Sequence, residues 1–415
     1  MIIQFKNRKK ELYELKKILE SNNFELVIIY GRRRIGKTAL VLEATKKYNR
    51  LYFLATEENN LERFYDVCMK KFPEVRKLKK SYEILFDFLK DKVDVIIIDE
   101  FQNMIKENKN IVSIFQSIVD NILVNTKIKL FLLGSSVSII TSKVLSYKSP
   151  LYGRRTASLN LKKIKFKDLK EFFPKASFEE LIKIYGFADG TPFYLIKIDP
   201  NKNFFSWLEK EIKREVSFLR DEIDFLMRYE FEDVSTYKLI LKALAFGKTT
   251  INEIKNFLNF KRTDVTPYLK NLIETGFVER KVPVTENIKS RKGRYFITDN
   301  FLKFWFRFIY PNLSSIEEGI FEIEIIKKEY PGYLGFVFED VCKEFLIETK
   351  IFPFTKIGKW WHKDKEIDIV ALNEQAKEIL FCECKWQNKV NAKKICKELA
   401  EKSQYVQWHN EQRKE

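Results

Sequence analysis

The run Gly31-Arg32-Arg33-Arg34-Ile35-Gly36-Lys37-Thr38 fits the pattern G-x-x-x-x-G-K-[ST]. Glycines at its two ends let such a loop fold around an anion with its backbone N–H groups pointing inward, and a helix that follows adds its positive dipole end. Lys37 is expected to reach the β and γ phosphates of ATP, and Thr38 to place its hydroxyl on Mg²⁺. The apolar run Val95-Ile96-Ile97-Ile98 ends in Asp99, an acid that can hold the Mg²⁺ through water, so the whole of Gly31 to Thr38 together with Asp99 is assigned to the nucleotide. Glu100 follows and is placed to orient and deprotonate the attacking water.

Further groups fit hydrolysis. Ser135 and Ser136 close another apolar run and could sense a γ phosphate. Arg154, with Arg155 beside it, could supply a cation to the transition state as an arginine finger does, within its own subunit or in a neighbour's; a surface pair near a turn is the competing reading. Arg32, Arg33 and Arg34 are read as pointing outward, toward the solvent field or a partner.

A second constellation lies near the end of the chain. Glu366-Ile367-Asp368-Ile369-Val370 and Phe381-Cys382-Glu383-Cys384-Lys385 read as strands, and side chains two apart on a strand share a face. Asp368, Glu383 and Lys385 can therefore converge, with Glu339 from a preceding helix, to bind Mg²⁺ or Mn²⁺ and polarise a water against a phosphodiester. Charged residues on a solvent-facing strand would look the same. Zinc on Cys382, Cys384, Cys396 and His362 is disfavoured, because C-x-C alternates its sulfurs and no second close pair exists.

The elements that must position these groups follow from hydrophobic period. Leu26–Tyr30, Leu51–Ala55, Val93–Ile98, Lys129–Leu133 and Ala157–Leu161 read as short buried strands alternating with helices, which predicts an α/β fold with a parallel sheet over residues 1–165. Residues 166–230 read as a helical lid: Phe166–Phe173, Phe178–Phe187 and a long stretch Phe204–Tyr229, punctuated by the turn Asp189-Gly190-Thr191-Pro192. Residues 231–310 offer three helices (Ser235–Phe246, Thr250–Phe257, Thr263–Thr275) and a hairpin, Phe277–Val282 with Arg294–Thr298, which together predict a winged helix. Lys261, Arg262 and Lys270 lie near its recognition helix; Lys289, Arg291, Lys292 and Arg294 load the wing. Such cations suit phosphate contacts, although the module could equally pack as a lever on the ATPase core. Residues 311–415 read as a small α/β unit with a helix at Gly335–Glu348, strands at Ile367–Leu372 and Ile379–Lys385, and a basic helix at Asn391–Gln407.

The 415 residues carry a net charge of +18 and 45% hydrophobic residues, a balance that supports several cores and favours polyanionic partners, DNA among them. Five cysteines, odd in number and uneven in spacing, argue against a disulfide framework. The N-terminal segment Lys6, Arg8, Lys9, Lys10, Glu11 lacks a leader pattern, and no run is apolar enough to span a bilayer, so a cytoplasmic protein without membrane contact is expected.

Taken together, the order of features resembles the archaeal ATPase family, close to the STAND and AAA+ groups, in the form with a C-terminal domain of uncharacterised function. The residues that carry the resemblance are Gly31 to Thr38, Ile97-Ile98-Asp99-Glu100-Phe101-Gln102, Gly153-Arg154, Gly190-Thr191-Pro192-Phe193-Tyr194-Leu195, Tyr295-Phe296-Ile297-Thr298-Asp299 and Ile357-Gly358-Lys359-Trp360-Trp361. Lys359 stands where arginine is expected. The resemblance implies a PD-(D/E)xK nuclease-like fold for 311–415, with Asp368, Glu383 and Lys385 as its metal and catalytic positions. It also implies that Pro192 belongs to a turn that senses nucleotide. The expectation is a Mg²⁺-dependent ATPase whose cycle gates a DNA-binding, nuclease-like tail; the alternative is an ATP-gated switch that binds DNA or protein without cutting. Arg154 acting in a neighbouring site would make the protein an oligomer.

Overall fold

The computed structural model describes residues 5–415; residues 1–4 of the first unit lie outside it. The chain divides into two compact units, Met1–Ile164 with Thr191–Ile196, and Lys165–Gly190 with Lys197–Glu415.

The first unit is built on five parallel strands: β1 (Glu25–Tyr30), β2 (Arg50–Leu54), β3 (Val95–Asp99), β4 (Lys129–Gly134) and β5 (Ala157–Asn160). Their order across the sheet is β2-β3-β4-β1-β5. Every residue of β3 and β4 is buried, which explains why these strands read as unbroken apolar runs instead of alternating ones. One face packs Phe64, Phe86, Phe101 and Phe115 against Ile28, Ile96 and Leu132. The other packs Leu15, Leu19, Leu40 and Val41 against Val27, Ile97 and Phe131. Because β4 separates β1 from β3, the ends of those strands stand roughly 10 Å apart, two inter-strand spacings. The helix Lys37–Ala44 follows the loop after β1, and its Thr38 reaches Asp99 at the end of β3.

The second unit is helical around an aromatic core. Phe187 meets Trp207, Phe301 and Phe304 edge-on and Phe204 at a tilt, and Tyr330 stacks on Phe204. The buried tyrosines keep their hydroxyls satisfied: Tyr330 donates to the Lys183 carbonyl and Tyr333 to that of Gly186. The stretch 204–229, expected as continuous helix, is two helices, Phe204–Lys213 and Glu222–Glu230. Glu211 draws hydrogen bonds from Arg214 and Ser217, which folds the chain back at that point.

Helices Ser235–Ala245, Ile251–Phe257 and Thr266–Glu274 precede an antiparallel hairpin, β6 (Val278–Lys281) and β7 (Arg294–Ile297). Thr250 and Glu253 form a reciprocal capping box that fixes where the middle helix begins. The helix expected from Gly335 runs instead from Glu324 to Thr349, straight through Pro331. Burial of Ile326, Tyr330, Tyr333 and Leu334 along one face outweighs the donor that proline removes. The tail then forms a three-stranded antiparallel sheet, β10-β9-β8, from β8 (Lys356–His362), β9 (Lys365–Asn373) and β10 (Glu378–Cys382), followed by the helix Ala392–Ser403. Strand β8 holds the motif Ile357-Gly358-Lys359-Trp360-Trp361. Among the described residues no helix is long and apolar enough to cross a membrane.

Candidate nucleotide site and acidic cluster

The loop 31–36 leaves the C-terminal end of β1, the end at which ligands bind in open parallel sheets. Gly31 has φ +153°, and a Cβ there would lie 2.4 Å from the Leu161 carbonyl oxygen, so no other residue fits without moving the chain beside β5. Lys37 is buried, and its ammonium donates to the carbonyls of Gly31 (2.8 Å) and Arg32 (3.0 Å) across the loop. Burial lowers its pKa to about 8, opposed by the negative charges of Glu100 and Asp99. A phosphate group in the loop would give this lysine the counter-charge that burial has made it need.

Thr38 Oγ1 donates to Asp99 at 2.5 Å, and Tyr52 donates to the same carboxylate oxygen at 3.0 Å. Burial raises the Asp99 pKa, while the hydrogen bond from Thr38 holds it down. Glu100 has φ +56°, a left-handed conformation that is uncommon outside glycine and asparagine and clusters at functional sites. Its backbone N–H is tied to the Asp99 carboxylate at 2.9 Å. Ser135 and Gln102 both donate to the Glu100 carboxylate, and Gln102 also donates to Ser135 at 3.0 Å. Lys37, Thr38, Asp99 and Glu100 thus meet at one end of the sheet. Their donors and charges fit Mg²⁺ and a polyphosphate: an ammonium and backbone N–H groups for the phosphates, a hydroxyl and a carboxylate for the cation.

Other residues of the expected site fall as follows. Pro192 lies against Gly36, its Cγ 3.9 Å from where a Cβ would stand. Phe193 donates its N–H to the Arg34 carbonyl at 3.4 Å, and the Arg34 guanidinium lies 3.9 Å above the Phe193 ring. The segment Thr191–Ile196 therefore belongs to the phosphate loop's own unit. Ile35 is buried. Arg154 stands apart from this cluster: it is half-exposed, paired with Asp120 at 3.0 Å and bonded to the Pro150 carbonyl. Sequence reasoning missed three supporting residues. Arg8 braces the loop through the carbonyls of Ile35 and Lys162; Tyr52 and Gln102 hold the two acids. Arg8 and Tyr52 carried no pattern, since each works through a tertiary contact, and Gln102 stood only as the last residue of the motif Ile97 to Gln102, with no role assigned to it.

In the tail, β10 ends at Cys382, so Glu383, Cys384 and Lys385 lie just beyond it. The freed N–H of Cys384 donates to Asp368 at 2.8 Å. Burial pushes the Asp368 pKa up, and the nearby Glu383 charge adds to that. Burial would also raise Glu383, but hydrogen bonds from Lys402 and Lys385, the latter at 2.9 Å, bring it below the ordinary range. Glu339 pairs with Lys359; even so, burial pushes its pKa up to about 7, with the Asp368 charge contributing. Asp368, Glu383, Lys385 and Glu339 do come together. Glu383 is taken by two lysines, and among the described residues no group of three acid, histidine or cysteine side chains is arranged to hold an ion. The cysteines are free thiols.

Residues 5–198 match the ATPase domain found predominantly in archaea, and residues 305–395 match a domain of archaeal and bacterial proteins of unknown function. An uncharacterized protein of Methanocaldococcus jannaschii, MJECL04, is 57% identical over 409 residues, covering 97% of this chain and 92% of that protein. The chain therefore belongs to the archaeal ATPase family, in the form that carries this C-terminal domain. A shorter match joins it to the uncharacterized ATP-binding protein MJ0423 of the same organism, 50% identical over 40 residues, 10% of this chain and 68% of that protein. Among solved structures, the Walker-type ATPase PABY2304 of Pyrococcus abyssi shares the fold with a TM-score of 0.53 at 20% identity, over 73% of this chain and 98% of that one.

Proposed function

We propose that this protein is a Mg²⁺-dependent ATPase that uses hydrolysis as a switch for a DNA-binding C-terminal unit. The observation that carries the reading is the meeting of Thr38 with Asp99 beside a Glu100 carboxylate already oriented by Ser135 and Gln102. Lys37 and the loop N–H groups hold the β and γ phosphates, and Glu100 aligns the attacking water and takes its proton. When bound, Mg²⁺ neutralises charge that develops on the phosphate oxygens. Pro192 and Phe193, seated on the loop, transmit whether phosphate is present, and Arg154 serves a neighbouring subunit's site. The ATP-binding designation of the relative MJ0423 supports the nucleotide. The +18 charge and the basic hairpin β6–β7 support DNA.

A second reading, in which the tail cuts DNA, is favoured by the gathering of Asp368, Glu383 and Lys385 beyond one end of β10. Incubation of plasmid and linear DNA with the protein under Mg²⁺ and Mn²⁺ separates the two. Cleavage abolished by Asp368→Ala establishes the nuclease; retention of DNA without any cleavage leaves the switch. For the switch itself, the affinity for labelled duplex DNA should differ between ATP and ADP, and equal affinities would sink it.

A further inference from the structure

The hairpin loop between β6 and β7 and the turn between β8 and β9 border one cleft of about 600 Å³, lined by Arg280, Arg291, Lys292, Arg294, His362 and Lys363 among others, with no acidic residue in its lining. The frame of this cleft is tied together at several points. The Trp361 indole N–H donates to the Lys292 carbonyl at 3.0 Å, and the Val284 N–H donates to the Lys359 carbonyl at 3.0 Å. Arg280 donates to the carbonyls of Ile288 and Ser290, holding the hairpin loop in shape. A Cβ at Gly293 would fall 2.2 Å from the Arg280 guanidinium carbon, so a larger residue there would push that side chain aside. Arg294 lies 4.9 Å above the Trp361 ring and pairs with Glu366 at 3.1 Å. Arg291 and Lys363, by contrast, are exposed at the mouth, where Lys363 feels the charge of its neighbour Asp364.

Loose surface lysines lose entropy when they bind; cations on a braced frame lose less, which favours a site over a diffuse basic surface. We infer that the hairpin and the β8–β9 turn act as one clamp on the phosphodiester backbone of duplex DNA, with Arg291 and Lys363 contacting neighbouring phosphates from opposite sides of the cleft. This rests on the DNA-binding part of the proposed function and adds to it a place: the domain of unknown function contributes half of the grip through Lys363. Phosphate contacts of this kind carry no base information, so affinity is expected to be insensitive to sequence.

The test is binding of a labelled duplex by the full chain across a salt series, comparing wild type with Arg291→Glu/Lys363→Glu, Arg291→Lys/Lys363→Arg and a charge-matched control, Lys47→Glu/Lys70→Glu, with circular dichroism to verify folding. Loss of two contacts should weaken binding at least about tenfold near 100 mM salt and flatten the plot of log affinity against log salt by about 2. The conservative pair should bind as wild type does, and the control should retain the wild-type slope. Wild-type affinity and slope in Arg291→Glu/Lys363→Glu would overturn the clamp while leaving DNA binding standing, and an equal loss in the control would overturn it as a mere effect of net charge. Wild-type protein that binds no duplex at about 50 mM salt would remove the DNA-binding reading itself, and the clamp with it.

Discussion

Thr38 and Asp99, 61 positions apart in sequence, are joined by a hydrogen bond of 2.5 Å at the mouth of the parallel sheet. Both groups could hold a Mg²⁺ that accompanies the nucleotide, and Glu100 is tied to the same carboxylate through its backbone. Glu100→Gln should therefore keep ATP binding and lower kcat by roughly 10²- to 10⁴-fold, the range for a lost general base. Single-turnover phosphate release alongside equilibrium binding of ATP checks this; a variant that hydrolyses at the wild-type rate removes Glu100 from the chemistry.

Nucleotide affinity should depend on pH through Lys37. Burial holds its free-site pKa at about 8, and a bound polyphosphate raises it. Binding is thus coupled to proton uptake above pH 8, and affinity falls as pH climbs through that value. The same group makes the free protein's own stability rise from pH 8 toward 10.5, because the unfolded lysine holds its proton longer. Calorimetry of ATP binding in buffers of different ionisation enthalpy measures the uptake directly. A proton count of zero between pH 8 and 9 would contradict it.

Arg154 is engaged by Asp120 instead of the phosphate loop. If it completes a neighbour's site, Arg154→Ala should depress hydrolysis by as much as about 10³-fold, and mixing with Lys37→Ala protein should restore part of the rate, since each variant supplies what the other lacks. Wild-type turnover by Arg154→Ala would mean that the residue serves only its pairing with Asp120.

In the tail, burial sets the protonation of Glu339 near pH 7, against an ordinary 4.5, even though Lys359 is beside it. A carboxyl whose folded pKa is raised stabilises the fold fully below pH 4.5 and loses that contribution as pH rises through 7, an effect on the order of 3 kcal/mol. The stability of wild type relative to Glu339→Gln should decline over that window in chemical denaturation. A difference that stays level across it would show that Lys359 keeps the carboxylate charged throughout.

Much of this was legible because it depends on local pattern. The strands of the first unit announced themselves as apolar runs, and the phosphate loop as a fixed spacing. What the sequence hid depends on tertiary contact. Tyr52 looks like an ordinary half-buried strand residue until β2 pairs with β3 and brings its hydroxyl to Asp99. Arg8 reads as one of several N-terminal cations until it braces the loop. Strand β8 was obscured because its bulge between Gly358 and Trp360 breaks the alternation that marks a strand. The helix through Pro331 went unread because packing overrode a local breaker. Glu383 and Lys385 did share a neighbourhood, as their spacing required, but nothing local announced that Lys402 would also occupy the acid.

The central claim is most directly tested by phosphate release from ATP under Mg²⁺, measured for wild type and for Lys37→Ala at equal protein concentration. Turnover by wild type, with neither binding nor turnover by Lys37→Ala, is the predicted result. Wild-type protein that fails to bind ATP, or a Lys37→Ala variant as active as wild type, would contradict it.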